Sequence, residues 1–321
     1  MTARCVLVPW SPRARALRAV ALLGFALSTA CATNPVLRRA TAIADADVAA
    51  KAALANEGRI DAGKIPARTF AVVPFTVAAR DTLLRPLGFG LADLLANDLA
   101  KSPELRLVER TRTEAMLREL HMVDDGVADP KQAPRVGRLI GARRLLIGDA
   151  AMLPGNGVRL GARVVDVIAG TVQDLVYADA PLDRVIDAEK ELALLIFERL
   201  GITLTPAQRL SIEQRQSTQL AALVAYGRGV QAEARGDAAG SIAAFEEASR
   251  LDAAFSAART QAAAAPAASS ARSSASSISR VVDLAAQGVN APVPVKLPEA
   301  VDAPLASGSL LSLIFIIRVI P

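Results

Sequence analysis

Thr69-Phe70-Ala71-Val72-Val73-Pro74-Phe75, followed by Leu87, Leu91, Leu94, Leu95 and Leu99, is the stretch that decides how this chain folds. The first run is apolar and β-branched, and Pro74, which has no N–H to give a ladder, suits the end of a strand. The leucines fall at i, i+4, i+7, i+8 and i+12, one stripe of an amphipathic helix. A strand followed by a helix that can lie on it is the opening unit of a layered α/β fold.

The pattern continues downstream. A strand is expected from Leu105 to Glu109, after the Ser102-Pro103 break. Thr111 and Glu114 stand at capping-box spacing and predict a helix through Leu120. Asp129-Pro130 opens another helix, with proline at the first helical position, and Gly141 closes it. Three strand-like runs follow: Arg144 to Met152, Val158 to Val167 and Thr171 to Ala180. Pro154-Gly155-Asn156-Gly157 and Ala169-Gly170 supply turns, so the three form an antiparallel meander. Val158, Leu160 and Ala162 alternate with Arg159, Gly161 and Arg163, which predicts one wet face. A helix from Asp183 to Leu200 is expected to bury Ile186, Leu192, Leu195 and Phe197 before Gly201 ends it. The order β-α-β-α-α-β-β-β-α gives the fold class: α/β, a mixed sheet with packed helices, over residues 68–205.

Residues 210–260 change texture to alanine, glycine and charged helix pairs. Ala225-Tyr226-Gly227-Arg228-Gly229, Gly236-Asp237, Phe245, Ala248 and Leu251-Asp252 follow the spacing of a tetratricopeptide-like helical unit. Ser241 and Ala253 depart from the usual residues of that pattern. Gly229 permits close helix approach, Gly236-Asp237 makes the turn, and Phe245 packs back on the first helix. Such units receive peptides or helices in their grooves, which makes Tyr226, Gly229 and Phe245 candidate partner contacts, with internal packing as the alternative. A lone unit cannot bury both faces, so it is capped by residues 210–223, by the α/β unit or by a partner. Residues 31–67 read as a tether with one helix around Ala44 to Asn56, and 261–321 as a low-complexity linker with an apolar tail that is given no function.

At the front, Arg4, Arg13, Arg15 and Arg18 precede an apolar and small-residue run that ends at Cys31, an export signal over residues 1–30. Leu27-Ser28-Thr29-Ala30-Cys31 resembles a lipobox in which Cys31 becomes lipidated; Ser28-x-Ala30 and Ala30-x-Ala32 also suit ordinary signal-peptidase cleavage. Taking those four arginines from the formal charge of +5 leaves a mature chain of +1. With no basic run interleaved with aromatics, nucleic acid is excluded as a partner. The two cysteines, Cys5 and Cys31, leave no disulfide in the mature protein.

Catalytic chemistry has little material. His121 is the sole histidine, and only Asp124 and Asp125 cluster beside it, so neither a general base nor a metal site is expected. Gly88, Gly90 and Gly137 lack the order of a phosphate-cradling loop, so no cofactor is expected. Glu109 and Arg110, at a strand-to-helix junction, read as a structural pair. The chain is expected not to be an enzyme.

Several quoted segments together resemble a known family. Phe70 to Phe75, Gly90-Leu91-Ala92-Asp93-Leu94-Leu95-Ala96-Asn97-Asp98-Leu99, Leu107-Val108-Glu109-Arg110-Thr111, Val136 to Ala142 and Arg159 to Val167 are similar, in order and spacing, to the CsgG-type envelope lipoproteins, the family of the curli secretion channel. The resemblance covers about residues 68–205. It implies a periplasm-facing outer-membrane lipoprotein anchored through Cys31, a non-enzymatic binding or scaffolding component of envelope secretion or surface assembly. Its partners would be envelope proteins reached through the α/β domain or the helical unit, with homo-oligomers left open. Ala32, rather than aspartate, follows the cysteine, as in chains sent to the outer membrane. The alternative it implies is a subunit of an oligomeric curli-type channel. Strands of ~9 to 11 residues with an apolar outer face, which a pore needs, are not found outside the core sheet.

Overall fold

The computed structural model describes residues 35–78, 82–123, 130–172 and 175–264, with side chains from residue 42 onward. All lie in the first of two compact units, Met1–Ile278; the second, Ser279–Pro321, is outside the described residues, as are the export signal and Cys31.

The centre is a mixed sheet, the architecture expected, in the order β3-β1-β4-β5-β6 with β2 also on β4. Strands β1 (Thr69–Val72) and β2 (Thr76–Ala78) both run parallel to β4 (Arg144–Leu153), Phe70 opposite Arg144 and Thr76 opposite Asp149. They are one strand interrupted at Pro74. The Val73 N–H donates to Leu146 O at 3.2 Å, but that of Phe75 leaves the sheet and donates to Gly88 O at 3.1 Å. The Phe75 ring lies over Gly148, where a Cβ would come within 2.2 Å of it.

Helix α2 (Leu87–Leu99) follows, and all five leucines of its stripe are 1% exposed or less. Strand β3 (Arg106–Leu107) is shorter than expected and pairs in parallel with β1. Helix α3 (Arg110–Glu119) corrects the capping expectation. Its N-cap is Glu109 with no side-chain cap, Thr111 lies inside the first turn, and Glu114 is drawn to Arg110 instead. Helix α4 (Ala133–Ile140) begins later than Asp129-Pro130 suggested; Asp129 is outside the described residues, and Pro134 takes the early helical position. Gly141 ends it in the left-handed region at φ 73°.

Strands β4, β5 (Gly157–Asp166) and β6 (Val176–Pro181) form the antiparallel meander. Gly155 at φ 74° and Asn156 at φ 62° turn the chain between β4 and β5, the positive φ that the Pro-Gly-Asn-Gly sequence permits. The third strand starts at Val176 rather than Thr171, with Val172 making only an isolated bridge to Val165. Helix α5 (Val185–Arg199) packs on β5 and β6 and buries Ile186, Leu192 and Phe197, but Leu195 is only half-buried.

Two further regions pack onto this unit. Helix α1 (Pro35–Ala55) occupies the stretch read as a tether, yet Ile43, Ala46 and Ala50 at i, i+3 and i+7 are buried, and the helix docks on α3. Helix α6 (Pro206–Glu213) carries a capping box: Thr205 Oγ1 accepts from the Gln208 N–H at 3.2 Å, and Gln208 Oε1 accepts from the Thr205 N–H at 2.8 Å. Helices α7 (Leu220–Arg235) and α8 (Ala238–Leu251) form a hairpin turned by Gly236 at φ 83° and capped by Asp237. A last helix, α9, spans 256–264, so the segment read as linker from 261 opens in helix. The hairpin lies on α2: a Cβ on Gly227 would sit 2.0 Å from Pro86 O, and Gly90 faces the Gly227 backbone.

Candidate functional site

The chemistry-bearing residues gather at the junction of α2, α3 and α7. Arg110 sits where β3 hands the chain to α3, so its side chain is aimed between the sheet layer and the helical hairpin. Its Nε lies 2.8 Å from Asp93 Oδ1, its Nη1 2.5 Å from Glu114 Oε1 and its Nη2 2.9 Å from Glu233 Oε2. The Tyr226 hydroxyl donates to Asp93 Oδ2 at 2.5 Å. Arg118 adds a second tie, donating to Asp47 of α1 at 2.8 Å and to the Ala234 carbonyl of α7 at 3.2 Å.

Burial sets the electrostatics here. It pushes the Glu114 carboxyl up to about 7, with Arg110 pulling the other way. Burial alone would lower Arg110, but Glu114, Glu233 and Asp93 outweigh it and hold the guanidinium above its ordinary value. The Tyr226 phenol is driven well up, by burial first and then by Asp93. A guanidinium with all three nitrogens engaged has no free edge for a substrate, and its carboxylates are closed from solvent. The cluster joins layers; it does not open onto a cleft.

A second buried group links α2 to α5. Lys190 Nζ lies 2.5 Å from Asp98 Oδ2 and 3.0 Å from Glu189 Oε2. Burial raises Glu189 to about 7 and raises Asp98, against the attraction of Lys190. It too is part of the packing.

Tyr226, Gly229 and Phe245 are brought together as the sequence pattern anticipated, but as core rather than as a docking surface. Tyr226 and Phe245 are fully buried, their rings 5.5 Å apart, and Phe255 stacks on Tyr226 at 4.9 Å. A Cβ on Gly229 would press within 2.5 Å of Phe245. Tyr226 is held against α2 through Asp93, and Phe245 is covered within the hairpin by Gly229 and Tyr226. His121 is exposed at the end of α3 with φ 56°, while Asp124 and Asp125 lie outside the described residues. Among the described residues, no group of three or more His, Cys, Asp or Glu could hold a metal ion, and no helix is long and apolar enough to cross a membrane. Gly88, Gly90 and Gly137 are close-packing positions, against Phe75 O, the Gly227 backbone and Val167.

The accessible chemistry lies on the outer face of the meander. Even-numbered residues of β5, Val158, Leu160 and Ala162, point into the core. On the other face, Arg159 is exposed and Arg163 half-buried, whereas Val165 is covered; Arg159 stands opposite Ala151 and Asp179, and Gly161 opposite Asp149 and Tyr177. Arg159 makes a two-pronged pair with Asp179, at 2.8 and 2.7 Å, and its guanidinium stands 5.5 Å from the Tyr177 ring centre. That pairing holds the Asp179 carboxyl below its ordinary value. Tyr177 is 49% exposed, and Arg163 reaches Asp149 at 3.5 Å. Arginine and tyrosine fixed on a rigid sheet are the residue types that dominate protein–protein contact energies. Alternation along β5 marks the wet face; the tyrosine on it comes from β6 and is found only through strand pairing.

Residues 54–180 match the family model described as Curli production assembly/transport component CsgG. No curated protein matches. Among solved structures, the chain is similar to the NMR structure of LpoB from E. coli at 18% identity, covering 34% of this chain and 54% of that one, with a TM-score of 0.30. This chain thus spans about half the length of that structure. It is also similar to the LpoB C-terminal domain from Salmonella enterica at 16% identity, covering 42% of this chain and 98% of that domain, with a TM-score of 0.29. The corresponding domain from Escherichia coli gives 18%, 42%, 98% and 0.30.

Proposed function

We propose that this chain is an envelope lipoprotein, held through Cys31 at the periplasmic face of the outer membrane, that works by binding and scaffolding other envelope proteins rather than by catalysis. The observation that carries the reading is the match of residues 54–180 to a family described by curli production, assembly and transport. The geometry supports a contact role: the buried charges are consumed in joining layers, whereas Tyr177, Arg159 and Arg163 stand on the open sheet face. The hairpin of α7 and α8, read as a tetratricopeptide-like unit, serves in this scheme to stiffen the α/β domain.

A photo-crosslinking residue placed at Tyr177 in intact cells tests it, with Leu210 on α6, 69% exposed, as the control position. A discrete protein adduct from position 177 that is absent from 210, together with palmitate labelling of Cys31, is the expected result. No adduct, or a mature chain that begins after Ala32, overturns it. The channel-subunit reading draws on the same family description. It predicts a ring-sized assembly with bilayer conductance from detergent-purified protein, where the scaffold reading predicts none.

A further inference from the structure

On the opposite side of the sheet from Tyr177, α5 and the chain that follows it enclose a groove of 450 Å³. Its wall includes Leu194, Leu195, Ile202 and Leu204, all half-buried. Leu195 belongs to the stripe that the sequence assigns to the core, so its partial exposure marks a place where the α5 apolar face runs out from under its cover. Glu191 and Glu198 stand on the rim, exposed, seven residues apart on one helix and therefore about 10 Å apart along its axis. Neither pairs with a cation among the described residues. The groove's arginine, Arg209, turns instead to Glu213 at 3.7 Å.

Two unpaired carboxylates beside an aliphatic trough define the occupant. A flat or acidic partner would leave the glutamates uncompensated. An amphipathic helix with leucine-like side chains on one face and lysine or arginine two turns apart on its border satisfies both the trough and the rim. We propose that the α5 groove is a docking site for a basic amphipathic helical segment of a partner protein. This rests on the reading that the chain acts by contact, and it adds a second surface on the far side of the sheet, as a scaffold bridging two proteins requires.

The probe is a fluorescein-labelled synthetic peptide of leucine and lysine at helical spacing, compared with its counterpart carrying glutamate in place of every lysine. Fluorescence anisotropy on the full exported chain should show the lysine peptide binding about 10-fold more tightly, a difference within reach of two rim ion pairs. The double variant Glu191→Gln/Glu198→Gln should reduce that preference to under about 3-fold, with an unchanged melting temperature showing that the fold is intact. Leu194→Asn should weaken both peptides. Equal binding of the two peptides, or a preference that survives neutralisation of both glutamates, overturns the proposal. So does self-association of the chain that the lysine peptide fails to displace, because a second copy would then own the groove. The Tyr177 crosslink reads the other face, so loss of peptide binding with that adduct retained sinks this site and leaves the scaffold reading standing.

Discussion

The Tyr226 hydroxyl and the Asp93 carboxylate meet at 2.5 Å across 133 positions of sequence. The contact fastens α7 to α2, and Arg110 completes it by holding Asp93, Glu114 and Glu233 together. A buried cluster of this kind is costly to form and more costly to break, since the remaining charges cannot reach water.

Arg110→Ala is therefore expected to destabilise the chain by about 3–5 kcal/mol, because three carboxylates lose the cation they share. Tyr226→Phe, which keeps the ring packing and removes one hydrogen bond to a charged group, should cost about 1.5–3 kcal/mol. Urea unfolding followed by circular dichroism checks both, and an Arg110→Ala midpoint equal to wild type would show that the cluster is not a fastening.

Gly227→Ala places a methyl group 2.0 Å from Pro86 O, and that neighbour is backbone that cannot swing away. A loss of about 1–3 kcal/mol is expected, with the hairpin lifted from α2. Proteolysis should cut the variant sooner between the α/β unit and the hairpin; an unchanged digestion pattern would contradict the close approach.

Glu114 and Glu189 titrate at about 7 in the folded protein, against an ordinary 4.5. The native state thus holds these protons more tightly than the unfolded chain, so their contribution is full below about 4.5 and is lost as pH rises through about 7. Glu57 and Asp179, held low by hydrogen bonds from Arg135 and Arg159, act in the opposite sense, and theirs is lost only under more acid conditions. Melting temperature should therefore fall by several degrees between pH 5.5 and pH 8, at about 2–4 °C per kcal/mol for a chain of this size. Glu114→Gln should flatten part of that slope, and a melting temperature that climbs over the same range would refute the assignment.

Thr205→Ala removes a working cap and should cost about 1 kcal/mol. Thr111→Ala removes a hydroxyl that is buried and has no hydrogen-bond partner, so its change should stay within about 0.5 kcal/mol or favour the folded state. Parallel denaturant curves decide it, and the reverse order would restore Thr111 as the capping residue.

Substitution of Tyr177 or Arg159 by alanine should leave stability within about 0.5 kcal/mol, since both are surface groups. The same variants should lose the crosslinked partner captured from the sheet face. Retained capture with unchanged yield would move the contact elsewhere.

Much of the layered core was legible in the chain itself. The leucine stripe of α2, the turn at Pro154 to Gly157, the ends at Gly141 and Gly201 and the close packing of Gly229 against Phe245 are all local matters. The missed features share a cause. Thr111–Glu114 and Thr205–Gln208 both have capping-box spacing, and only the first is overruled, because Arg110 competes for Glu114 with a charge-assisted bond. Ala46 and Ala50 gave too small a stripe to mark α1 as packed, since alanine buries little area and its placement needs the partner surface to be known.

What the sequence determined alone is the order and kind of its elements: 3.6- and 2-residue periodicity, proline and glycine punctuation, and turn chemistry act between neighbours a few residues apart. Only tertiary structure decided that Asp93, Asp98, Glu114 and Glu189 lie inside and that Tyr226 and Phe245 are core. It also left Tyr177 beside Arg159 on an open sheet face and Leu195 half-bared in a groove. Burial of a charge depends on which distant helix covers it, and α7 reaches α2 only after more than a hundred intervening residues have been folded away.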